Sequence, residues 1–166
     1  MLKLDGAQLD MGGREFTYDL PEPWGVDRGE AFLKITAKPA ASVNADFRKS
    51  LDDVMHKARV RDLTVEEEYK ASKNVDALVK GREDNAKWVT EAIATLRYDH
   101  CIVSWETDIQ SGGGSLEANR DNFLALAAFE HRDIQALFAQ MQADLSNFDK
   151  FALKASEEDA EAEVKN

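Results

Sequence analysis

Cys101-Ile102-Val103-Ser104-Trp105-Glu106, then Ser111-Gly112-Gly113-Gly114-Ser115, then Asn119-Arg120-Asp121-Asn122-Phe123-Leu124-Ala125-Leu126 is the stretch whose reading decides the fold. Cys101, Val103 and Trp105 alternate with Ile102 and Ser104, which suits either a short strand or a helix tail; the period of two favours the strand. The glycine run reads as a turn. Asn119 is a helix N-cap for a segment carrying Phe123, Leu124, Leu126, Ala127 and Phe129. His131 and Arg132 mark a break. From Asp133 onward, Ile134, Leu137, Phe138, Met141, Leu145, Phe148 and Phe151 recur at i, i+3, i+4 and i+7, the strongest helical period in the chain. The layout presents an apolar helical surface and no cluster of reactive side chains.

Upstream, the period is first two and then 3.6. Phe16, Tyr18 and Leu20 share one face of Glu15 to Leu20, and Ala31, Leu33, Ile35 and Ala37 share one face of Ala31 to Lys38. With Pro21, Pro23 and Gly25 between them, these two runs predict a hairpin with a broad connection, and Trp24 is expected to lie as a lid over its apolar face. Residues 1 to 13 have no stable period and read as a loose entry, with room for an edge strand at Leu2 to Leu4. Pro39 stops the second strand. Ser42 to Asn44 offers N-caps for a core-facing helix with Phe47, Leu51, Val54, Met55 and Ala58, expected to end near Val60. Thr64 with Glu67 forms a capping box, and Glu66 to Glu68 fall where the next helix dipole favours acid. That second helix is poor in large apolar residues, so it is expected on the surface, able to swing, and ended or kinked at Gly81. Trp88, Val89, Ala92, Ile93 and Leu96 then form a stripe that should pack on the Phe47 helix.

Composition narrows the function classes. The chain has 166 residues, 43% of them hydrophobic, enough for one ordinary core. Its net charge is -11, and residues 81 to 166 hold 8 basic against 17 acidic side chains. Nucleic-acid binding needs clustered Lys and Arg, so such a partner is not expected. The one basic stretch, Lys34 to Arg61, has seven cations against Asp46, Asp52 and Asp53 and reads as a solvated face. A single cysteine, Cys101, excludes an internal disulfide and fits a reducing compartment. The opening Met1-Leu2-Lys3-Leu4-Asp5-Gly6 has no signal-peptide order, and no apolar run reaches the ~18 residues of a membrane span, so no membrane partner is expected.

Catalytic and metal chemistry find no foothold. His56, His100 and His131 do not sit at ligand spacing, and His100 beside Cys101 diverges from it as neighbours in sequence do. No carboxylate pair is forced into an apolar setting. No enzyme activity, cofactor or metal is expected. The phenylalanines of the last two helices with Met141 remain, either as core alone or as core plus a groove for another helix, since Met adapts to varied apolar surfaces.

The Cys101 to Glu106 segment ending in Trp105, the turn at Ser111 to Ser115, the Asn119 to Leu126 helix start and the closing helix with Asn147-Phe148 resemble the tail assembly chaperones of long-tailed bacteriophages and related gene transfer agents. The similarity spans residues 85 to 155. It implies a non-enzymatic assembly factor of the bacterial host cytoplasm that binds the apolar helical tape measure protein, helps recruit tail tube protein, and is absent from the mature particle. The alternative is a minor tail or connector protein retained in the particle. Phe123, Leu126, Phe129, Phe138, Met141 and Leu145 are the expected partner surface, with Trp105 the structural anchor beneath them. The expected fold is α+β: a hairpin region, residues 1–40, packed on a mostly helical region, 41–155, of the same domain. Ser156 to Asn166, with five acids and one base, reads as a disordered acidic tail.

Overall fold

The computed structural model describes residues 11–40 and 43–152 and is α+β. Strands β1 (Arg14–Leu20) and β2 (Ala31–Ala37) form the expected antiparallel hairpin, with Phe16 opposite Ile35 and Tyr18 opposite Leu33. Alternation places Leu20, Leu33, Ile35 and Ala37 in the core and leaves Glu15, Thr17 and Asp19 outside. On the outer face Lys34 bridges Glu15 at 2.9 Å and Glu106 at 3.3 Å. Gly25 closes the connection: its N–H donates to the Gly29 carbonyl at 2.7 Å, and a Cβ there would stand 2.0 Å from the Glu30 oxygen.

Two long helices follow, α1 (Ala45–Ser72) and α2 (Val75–Cys101), packed against each other as an antiparallel hairpin. At 1.5 Å per residue each is roughly 40 Å long. The helix expected to end near Val60 runs on to Ser72, and no helix begins at Thr64. Its hydroxyl instead donates to the Val60 carbonyl at 3.0 Å inside a continuous helix. Nothing between Val60 and Thr64 breaks a helix, so the i to i−4 bonds satisfy the amides that a capping box would have served. The true break is Lys73–Asn74. Lys73 is left-handed at φ 55, and Asn74 caps α2 by accepting from the Ala77 N–H. Gly81 neither ends nor kinks a helix; it lies inside α2 against Val65 of α1. The segment expected to swing is therefore the tip of a packed pair.

Strand β3 (Ile102–Thr107) leaves α2 directly and pairs antiparallel with β2, giving the sheet order β1-β2-β3. The strand reading of this segment holds, but Cys101, Val103 and Trp105 do not share a face. The register slips between Thr36 and Ala37, so that Ile102 opposes Ala37 and Trp105 opposes Ile35. This bulge turns Val103 outward, 53% exposed, while Trp105 and Cys101 are buried. A small hairpin, β4 (Gln110–Ser111) and β5 (Gly114–Ser115), forms around the glycine run, with Gly112 and Gly113 at positive φ.

Helices α3 (Arg120–Ala127) and α4 (Arg132–Ser146) complete the body. Asn119 accepts from the Asn122 N–H as expected of an N-cap, and His131 Nδ1 accepts from the Asp133 N–H to start α4. Helix α4 stops at Ser146, so Phe148 and Phe151 are outside the helical stripe. A 3-10 turn, Phe148–Lys150, brings Phe151 back into the core against Phe16, with ring centroids 5.5 Å apart. Trp24 packs on the α3–α4 corner: its Nε1 donates to Asp133 at 3.4 Å, and its ring meets His131 at 4.8 Å and Phe129 at 6.0 Å, both edge-on.

Asn44 ties these parts together. Buried at the start of α1, it accepts from the Phe47 N–H at 3.2 Å and donates to the carbonyls of Pro39 and His100. The expected edge strand at Leu2 to Leu4 and the acidic segment from Ser156 lie outside the described residues.

Candidate functional site, an apolar groove between helices

Phe123 is the centre of the C-terminal body. Its ring contacts Tyr98 of α2 at 5.0 Å, Trp105 of β3 at 5.4 Å and Phe138 of α4 at 5.5 Å. Offset and edge-on contacts of this kind each add about 0.5–1.5 kcal/mol beyond the area they bury. Trp105, the expected structural anchor, is held by packing alone, since its indole N–H meets no acceptor among the described residues. Outside the cluster Arg120 closes both prongs on Asp99, at 2.9 and 3.1 Å, pinning the start of α3 to the end of α2. Its hydrogen bond holds the Asp99 carboxyl below the usual range.

Helix α3, eight residues long, packs against both α2 and α4. Between them lies a groove of about 200 Å³. Thr90, Ala94 and Arg97 form one wall at i, i+4 and i+7 of α2. Gln135, Ala139 and Gln142 form the other at i, i+4 and i+7 of α4. Phe123, Phe138, Met141 and Ile102 supply its apolar lining. Small-molecule sites usually enclose ~300–1,000 Å³. A slot below that range, framed by parallel rows of helix positions and small side chains, suits a few anchoring side chains of another helix.

The six residues expected to form one partner surface divide three ways. Phe123, Phe138 and Met141 meet at this groove. Leu126 of α3 and Phe129 just beyond it line a second depression of about 270 Å³, shared with Trp24, Ile109 and Leu116. Leu145 reaches neither and is 0% exposed, which corrects its assignment to the partner surface. Phe123, Leu126 and Met141 are also buried, so they form the floor of their depressions while Phe129, 50% exposed, stands open. The reason is position along the helix: Leu145 shares the stripe of Phe138 and Met141 but lies one to two turns further on, where its own carbonyl accepts from the Ala40 N–H at 2.8 Å and its side chain is enclosed by the core. Sequence reasoning missed Arg97. The signal was present as a cation at i+7 from Thr90, within a stripe otherwise small or apolar.

Among the described residues no group of three or more His, Cys, Asp or Glu is placed to hold a metal ion, and no helix is long and apolar enough to cross a membrane. His100 pairs with Ser50 at 3.0 Å, while the Cys101 thiol contacts the Pro39 carbonyl and Asn44, so the two neighbours diverge. Burial pushes the Cys101 thiol up to about 12 against the opposing charges of Arg97 and Lys38. A thiol so shifted stays neutral and is a poor nucleophile. Comparison of the chain with protein families, curated proteins and solved structures finds no match.

Proposed function

We propose that this protein is a non-enzymatic tail assembly chaperone of the phage type, acting in the bacterial host cytoplasm. It masks apolar helical segments of a tape measure protein and brings tail tube subunits to it. The observation that carries this reading is the groove between α2 and α4, with Phe123, Phe138 and Met141 beneath two walls of helix-spaced small and polar residues. Burying an apolar side chain there contributes about 1.5–3 kcal/mol per anchor, and several weak anchors suit a partner that must later be released. The net charge of -11 supports the same role, because it keeps a protein with an open apolar groove from self-associating.

The test is co-expression with the neighbouring genes, followed by affinity capture to see whether a long helical protein comes with this one. Ala139→Arg fills the groove from an exposed position, and Phe138→Ala removes an anchor. Each should lower capture by about tenfold or more with the far-UV spectrum unchanged. Capture that is undiminished by both variants rejects the reading. Recovery of the protein in purified particles would favour a retained tail component instead.

A further inference from the structure

The groove between α2 and α4 holds one cation and no anion. Arg97 reaches it from the α2 wall, and the lining contains no Asp or Glu although the chain as a whole is strongly acidic. Arg14, Arg61, Arg82 and Arg120 all close on acceptors. The Arg97 guanidinium makes no hydrogen bond and no ion pair to any described residue. Half-buried, its guanidinium has lost water without gaining a partner among the described residues, and that desolvation lowers its proton affinity. Cys101 is the nearby group of potentially negative charge, and its buried thiol stays protonated. A partly dehydrated, unpaired guanidinium beside Phe123 and Phe138 is poised for a bidentate acceptor delivered from outside.

Resting on the reading of this groove as the partner surface, we propose that it selects an apolar helix carrying one carboxylate, Asp or Glu, within its apolar stripe. The apolar side chains of the visiting helix sit over Phe138 and Met141, and its carboxylate pairs with Arg97. Small free anions are disfavoured, because the protein's overall negative charge repels them and the apolar floor offers them nothing. An apolar helix without the carboxylate leaves the guanidinium dehydrated and unpaired, which is a penalty the correct partner avoids.

The test uses two helical peptides of about 18 residues, each with a leucine stripe, identical except for Glu or Gln at the centre of that stripe. Binding to the full-length protein is followed by fluorescence anisotropy. The wild-type protein should bind the Glu peptide about tenfold more tightly. In Arg97→Gln that preference should vanish, and in Arg97→Lys it should be partly kept. Equal binding of both peptides by the wild-type protein overturns the carboxylate proposal and leaves the groove reading standing, whereas binding of neither peptide removes both. A Glu preference that survives Arg97→Gln also overturns it. Should neutralising Glu157, Glu158, Asp159, Glu161 and Glu163 in the full chain raise the affinity for the Glu peptide by about the same tenfold factor, Arg97 belongs to the chain's own acidic segment and the proposal fails. The peptide comparison on wild-type protein requires no variant, so its outcome does not depend on any substituted chain folding.

Discussion

Gly81 of α2 lies directly against Val65 of α1: a Cβ placed at Gly81 would stand 2.8 Å from both methyl groups of Val65. The contact is between a missing side chain and a stiff β-branched one.

Gly81→Ala should therefore destabilise the protein, although the same change in an open helix stabilises by ~0.5–1 kcal/mol. Overpacking of this kind costs about 1–3 kcal/mol. Thermal melts of Gly81→Ala, Val65→Ala and the double variant should show recovery in the double. Additive losses would show that the contact is not what limits this position.

Asn85, buried in the same hairpin, donates to the Ala58 carbonyl at 3.0 Å and to Asp62 at 2.7 Å and accepts from Arg61 Nε at 3.1 Å. Asn85→Ala should cost about 1–3 kcal/mol by orphaning these groups. Asn85→Leu should recover part of the loss by apolar burial yet loosen helix register, as buried polar residues in helix pairs fix alignment. Hydrogen exchange across residues 55–90 checks this; unchanged protection in Asn85→Leu would remove the register role.

Asp144, buried on α4, accepts from Lys150 at 2.9 Å and Gln140 at 3.0 Å. Burial raises its proton affinity, but the bonds from Lys150 and Gln140 and the nearby Tyr18 hydroxyl outweigh this and hold the carboxyl below its usual value. The Tyr18 hydroxyl faces it without closing a hydrogen bond of good geometry, so burial first and the carboxylate's charge second push the phenol up. A depressed carboxyl stabilises the fold fully above its unfolded pKa, and that contribution is lost as pH falls through the lower folded value. Between about pH 6 and about pH 3, Tm should fall more steeply in the wild type than in Asp144→Asn. Parallel curves would refute the assignment.

Leu145 and Phe138 separate folding from binding. Leu145→Ala should cost about 2–5 kcal/mol, as expected of a fully enclosed core leucine. Phe138→Ala, at a half-buried position, should cost less and reduce partner capture more. Equal stability losses in calorimetry would place Phe138 in the core alone.

The hairpin, the strand ending in Trp105 and the two closing helices were legible because each rests on local periodicity and local caps. As caps, Asn119 and Asn44 act within a few residues of themselves, and so does the glycine run as a turn. The Thr64 capping box failed for a related reason: a start signal works only where the preceding helix stops, and no residue there stops it. The bulge that turns Val103 outward could not be read from β3 alone, since it is a property of its pairing with β2.

The sequence by itself determined which segments are helical or extended and that the last two helices carry a heavy apolar load, because backbone propensity and periodicity act over one or two turns. Only the tertiary structure decided how that load is shared. The core enclosed Leu145, a turn beyond Met141 on the same stripe, while a groove was left over Phe123, Phe138 and Met141 with Arg97 on its α2 wall. Those outcomes depend on contacts between residues distant in the chain, where burial of one face is set by the shape of its neighbour.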